Sequence, residues 1–198
     1  MPAQDSPENE WTNLKSDAEH ALHALLSQIS RQAEPQQLFE AYTYAKRVTA
    51  DAFKARMLMH LPDENVKFRE LYAQVQAELD RRYGQFFPEG FLKAPYGDQL
   101  HERLFSLLEE NLAQPIEAAK LRIVTADGVH TERRTRELRE LGMDVDWYEE
   151  DGIDFYVLRS FSLNFEVLPS LVRTIVRRKK KSKTEQEQLL REAGIPKK

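Results

Sequence analysis

Between Thr131 and Leu141 the chain reads Thr-Glu-Arg-Arg-Thr-Arg-Glu-Leu-Arg-Glu-Leu, which places four arginines within seven residues. A guanidinium group offers paired N–H donors that match phosphate oxygens or the O6/N7 edge of guanine. At about 100° per residue on a helix, Thr135, Leu138 and Leu141 share one side, and Arg133 and Arg136 point nearly the opposite way. Arg134 and Arg139 flank the buried edge, and Gly142 follows as a helix stop. Arg133 and Arg136 are therefore the candidates for reading base edges. His130 and Thr131, at the helix start, suit a phosphate. The competing reading is a solvated face laced by its own ion pairs. Glu132 lies four before Arg136, Arg133 four before Glu137, and Arg136 four before Glu140, and such pairs blunt a positive field.

A second concentration of cations is Arg177-Arg178-Lys179-Lys180-Lys181-Ser182-Lys183, six basic residues in seven. Read functionally, it is an arm that supplies sequence-independent affinity for phosphates. Read otherwise, it is a solubilising tail. An anionic membrane surface ranks lower, because the aliphatic residues just before the run are needed for packing.

Other chemistry is thinly represented. His20 and His23 sit three apart, but His60, His101 and His130 fall in different elements, so no metal site is expected. Asp146, Glu149, Glu150, Asp151 and Asp154 form an acidic group that reads as a solvated turn rather than a magnesium site. There is no glycine-rich phosphate loop, Gly-x-Ser-x-Gly or His-Glu-x-x-His. The chain has no cysteine, which excludes disulfides and thiolate metal sites and is compatible with a reducing cytoplasm. No cofactor is expected.

The elements that must hold the arginines in place can be read on either side of them. Pro115 to Thr125 reads as a short helix with proline in its first turn. Ala126-Asp127-Gly128-Val129-His130 is a turn signal, and the whole makes a helix-turn-helix. Downstream, Met143 to Tyr148 alternates apolar and polar residues like a strand. Glu149-Glu150-Asp151-Gly152 can turn the chain, and Ile153 to Leu158 returns as a second strand. A helix-turn-helix followed by a β-hairpin is a winged helix.

The run Arg133 to Gly142, followed about 14 residues later by Phe155-Tyr156-Val157-Leu158, resembles the winged-helix module attached to several bacterial restriction endonucleases. The resemblance covers roughly residues 99–160, under a third of the chain. It implies DNA binding, with a bacterial regulatory or defence-associated role, and does not imply cleavage.

At 198 residues with 41% hydrophobic content, the chain can bury a core in one or two small domains. The net charge of −4 hides a polarity: residues 1–98 carry −4, residues 99–168 carry −7 and residues 169–198 carry +7. The N-terminus is polar and acidic, unlike a secretory signal, and no apolar run approaches a membrane span. Residues 1–12 read as disordered. The spacing of Leu22, Leu25, Leu26 and Ile29 predicts a first helix from about Leu14. A second helix follows from Pro35 or Gln36 to His60. A third runs from Glu64 to Tyr83, capped by Asp63 and antiparallel to the second, the pair burying Phe53, Phe68, Leu71 and Val75. Gln85 to Asp98 holds four aromatics and reads as a packed loop, and a helix from about Asp98 to Asn111 opens the winged module. Thr184 and Glu187 suggest a capping box for a last helix ending at Gly194.

The expected architecture is mainly α: an N-terminal helical lobe (13–97), a winged-helix domain with a small β-hairpin (98–168) and a basic helical tail (169–198). The expected function is non-enzymatic double-stranded DNA binding, with His130, Thr131, Arg133, Arg134, Arg136, Arg139, Arg177, Arg178, Lys179, Lys180, Lys181 and Lys183 as contacts. The N-terminal helices are expected to serve a homodimer or a protein partner, in a cytoplasmic protein with no membrane contact. Two other classes stand beside this reading: an interaction subunit that uses the winged helix to dock protein, and a nuclease subunit with an unrecognised active site.

Overall fold

The computed structural model describes residues 7–62, 64–125, 131–179 and 181–196. It is mainly α with one small antiparallel sheet, as the sequence pattern indicates. The helices are α1 (Pro7–Ser30), α2 (Pro35–Leu58), α3 (Val66–Tyr83), α4 (Gln99–Glu110), α5 (Ala118–Val124), α6 (Thr131–Glu140), α7 (Leu168–Arg178) and α8 (Lys183–Glu192). The strands are β1 (Ile116–Glu117), β2 (Met143–Glu150) and β3 (Ile153–Leu163), ordered β1-β3-β2. No helix among the described residues is long and apolar enough to cross a membrane. The chain divides into two compact units, Met1–Asp63 with Ala118–Thr131, and Glu64–Glu117 with Glu132–Lys198.

In the first unit α1 begins at Pro7 and packs on α2, with α5 also against α2. The core of this hairpin is Ala18, Ala21, Ala45, Val48 and Ala52, with Trp11, Leu14 and Leu25 partly buried beside it. This corrects the sequence expectation. Small side chains let the two helix backbones approach closely, so the alanine face turns inward. Leu22, Leu26, Ile29 and Phe53 are left 49%, 59%, 55% and 52% exposed. Phe39 and Tyr42 are likewise exposed.

In the second unit α3 packs on α4 and β3. Phe68, Leu71 and Val75 are buried there, each worth roughly 1.5–3 kcal/mol over the exposed state. Asn65 caps α3, its side chain accepting from Phe68 N at 2.7 Å; Asp63 lies outside the described residues. Asn65 Nδ2 also donates to Ser106 Oγ at 2.9 Å and Glu109 Oε2 at 2.6 Å, which ties the start of α3 to α4. The loop before α4 is pinned to α3. Gln76 Nε2 donates to Leu92 O at 2.7 Å, Ala94 N donates to Gln76 Oε1 at 2.8 Å, and Tyr72 Oη donates to Ala94 O. A Cβ at Gly97 would come within 2.7 Å of the Tyr72 ring, so the loop can lie this close only with glycine there.

The expected helix at Pro115 starts instead with β1, whose Ile116 pairs with Tyr156 on β3. The β2–β3 hairpin turns at Asp151 (φ 51°) and Gly152 (φ 75°), both left-handed, as a two-residue primed turn requires. β3 continues to Leu163, five residues beyond the expected end, because Met143 pairs with Leu163 across two register shifts.

Candidate nucleic-acid interface

The face of α6 that the sequence assigns to packing is buried: Thr135, Leu138 and Leu141 have no exposure. On the far side Arg133 and Arg136 show 55% and 60% of their side chains to solvent. Arg134 is about one-third exposed and Arg139 is half-buried. Gly142 ends the helix at φ +87°, where an added Cβ would lie 2.5 Å from Asn164 O.

Two glutamates fix the arginine side chains. Glu137, itself buried, accepts from Arg133 Nε at 3.1 Å and Arg134 Nη1 at 3.0 Å, and faces His101 Nε2 at 2.9 Å. The other ring nitrogen, His101 Nδ1, lies 2.8 Å from Asp98 Oδ1. Asp98 also caps α4 by accepting from Leu100 N and His101 N. Each nitrogen of the His101 ring therefore faces a carboxylate. Burial pushes the Glu137 carboxyl up, but the His101 and Arg134 hydrogen bonds outweigh it and hold the group below the ordinary carboxylate range. At Asp98 burial likewise raises and the His101 contact lowers, with the same net direction. Glu140 is 3.7 Å from Arg136 Nε and accepts from Tyr96 Oη at 2.6 Å. Burial first, and then the Glu140 contact, push the Tyr96 phenol up to about 12.

Of the two residues at the helix start, Thr131 is buried with its hydroxyl 2.7 Å from Thr125 Oγ1, and His130 lies outside the described residues. Arg139 Nε is buried without a hydrogen-bond partner among the described residues, beside a cavity of about 320 Å³ that α6 shares with Ser170, Leu171 and Thr174 of α7.

The basic run connects two packed helices. α7 buries Leu168, Leu171, Val172, Ile175 and Val176, and its last turn carries Arg177 and Arg178. Arg178 stacks over the Tyr96 ring at 4.6 Å and Lys179 Nζ sits over Phe91 at 4.9 Å. Lys180 lies outside the described residues; Lys181 and Lys183 are exposed. The cap of α8 is Ser182 with Glu185, two residues before the expected Thr184–Glu187 box.

The tip of the hairpin is acidic. Glu149, Glu150 and Asp151 are exposed there, while Asp154 accepts from Trp147 Nε1 at 3.1 Å and Asp146 pairs with Arg159 at 2.9 Å.

A family model described as the KpnI N-terminal domain matches residues 101–158. The match is consistent with a restriction-enzyme-associated module, and the matched stretch takes in most of α4, all of α6 and most of the hairpin. The basic run and the whole α1–α2 hairpin lie outside it. No curated protein and no solved structure matches the chain.

The residues that sequence reasoning missed are His101 and Tyr96, which contact Glu137 and Glu140, and Asp98, which contacts the other nitrogen of His101. The Asp98–His101 spacing is a visible helix-start signal. The contact from His101 to Glu137 spans 36 residues, and nothing local announces it.

Proposed function

We propose that the chain is a non-enzymatic double-stranded DNA-binding protein, with residues 98–168 acting as a winged helix. In this reading α6 enters the major groove and Arg133 and Arg136 reach base edges. The observation that carries it is the exposure of these two guanidinium groups opposite Leu138, on a helix followed at once by an Asp-Gly hairpin. The match to a restriction-endonuclease-related module over the same stretch supports it. So does the order α4, β1, α5, α6, β2, β3 with β1 paired to β3, which is the order of a winged helix. The exposed Leu26, Ile29 and Phe39 of α1 and α2 support an oligomerisation or partner-binding role for the N-terminal helices.

A second reading, a protein-docking module, draws on two observations. Three of the four arginines of α6 pair with Glu137 or Glu140 on the same helix, and the charged side chains at the hairpin tip are all carboxylates. Fluorescence titration of the purified chain against random-sequence duplex, at about 50 mM and about 200 mM salt, separates the two. DNA binding predicts measurable affinity at the lower salt that drops at least about tenfold at the higher. The docking module predicts no duplex binding at either.

A further inference from the structure

The C-terminal helices α7 and α8 enclose a cavity of about 710 Å³. Its walls hold four cationic side chains, Arg173, Arg177, Lys183 and Arg191, against one carboxylate, Glu187. None of the four cations is in an ion pair among the described residues. Like charges gathered round one space repel each other, and an anion inside the cavity removes that cost. The cavity is within the size range of small-molecule sites. Ile195 and Pro196 give it an apolar floor.

The arrangement is held by the fold as well as by the sequence run. Arg178 and Lys179 are turned toward Tyr96 and Phe91, while the neighbouring Arg177 lines the cavity. Arg173 is pinned where the chain folds back after Gly194, its Nη1 donating to Pro196 O at 3.1 Å. Ile195 N closes that fold-back on Leu190 O at 2.9 Å. Two of the four cations, Arg173 and Arg191, lie outside the basic run, so the cavity is a different feature from the run itself.

We infer that the α7–α8 cleft is a phosphate-binding site. Guanidinium forks and an ammonium suit the oxygens of a phosphodiester or a phosphate monoester. The site stands independently of the DNA-binding reading of α6, which bears only on whether the phosphate comes from a nucleic-acid backbone or from a free phosphate ester.

The test uses the full chain, with inorganic pyrophosphate and a random-sequence duplex as probes. The variant is Arg173→Gln/Arg191→Gln, which leaves the basic run intact. Arg177→Gln/Lys183→Gln, both at exposed positions, serves if the first variant has an altered thermal midpoint. Lys93→Gln/Lys120→Gln, exposed and elsewhere, matches the charge change. The site predicts that pyrophosphate affinity falls at least about tenfold in the cleft variants and holds in the control. Where the source is a nucleic-acid backbone, the log–log salt slope for duplex also flattens by about 0.9 per lost contact. A loss of pyrophosphate binding with the duplex slope unchanged assigns the site to a free phosphate ester. Pyrophosphate affinity unchanged in the cleft variants, or reduced equally in the control, overturns the proposal. A parent chain that binds pyrophosphate through the cleft but no duplex sinks the DNA-binding reading and leaves the site standing.

Discussion

His101 Nε2 lies 2.9 Å from Glu137 Oε2, both side chains buried, so that a polar contact between two buried groups joins α4 to α6. The same carboxylate holds Arg133 and Arg134 from the solvent side. The orientation of the exposed arginine face therefore depends on a residue that points inward.

Removing that carboxylate leaves the buried His101 ring nitrogen without its partner. Leaving a buried polar group without its partner costs about 1–3 kcal/mol. Glu137→Ala is expected to lose stability on that scale in urea unfolding, with the slope of the transition unchanged. A loss below about 1 kcal/mol would show the contact to be incidental.

The two depressed carboxyls predict a direction in pH. Asp98 and Glu137 titrate lower in the folded chain than in the unfolded one, so the unfolded chain takes up protons first as pH falls. Their contribution is complete above the ordinary carboxylate range and is lost as pH drops through the folded values. Thermal midpoints taken from about pH 6 to about pH 3 should fall more steeply for the parent than for Glu137→Gln. Glu78, held down to about 2 by hydrogen bonds from Arg81 and Arg82, titrates in both proteins and cancels. Parallel curves would contradict the assignment.

Gly142 and Gly152 both have positive φ, but only Gly142 faces backbone, with Asn164 O at 2.5 Å from a built Cβ. Asparagine tolerates the left-handed conformation. Gly152→Asn should therefore cost under about 1 kcal/mol. Gly142→Asn should cost about 1–3 kcal/mol more, since the α6–β2 connection has to shift. Equal melting losses in the two variants would show that the close approach imposes no constraint.

Arg178 reads as a phosphate contact in the sequence, yet it stacks on Tyr96, whose hydroxyl holds Glu140. Arg178→Ala should lower the thermal midpoint by the equivalent of about 0.5–2 kcal/mol and leave the salt slope of DNA binding unchanged. A flattened slope with an unchanged midpoint would restore it to the contacts.

The arginine helix and its hairpin were legible because each is governed by local rules. Two leucines at helical spacing, a glycine stop and an Asp-Gly turn are short-range signals, and the structure realises them at Leu138, Leu141, Gly142 and Asp151. The inward face of the first helix is hidden from the sequence because Leu22 and Leu26 outrank Ala18 and Ala21 in hydrophobicity. Close helix packing selects small side chains instead. β1 was hidden because its two residues become a strand only through β3. The hold on Glu137 was hidden because His101, 36 residues away, has no sequence signature as its partner.

The central claim, that α6 reads DNA, is tested most directly by replacing Arg133 and Arg136 together with alanine and measuring duplex affinity alongside thermal stability. Both side chains are more than half exposed; the Arg136–Glu140 pair lies on the helix surface and is worth a few tenths of a kcal/mol, and the buried Glu137 keeps His101 and Arg134 when Arg133 is removed, so the midpoint should hold. A base-reading arginine is worth roughly 1–3 kcal/mol, so duplex affinity should fall at least about tenfold. A double variant that binds duplex as tightly as the parent, at the same midpoint, would show that α6 does not read DNA.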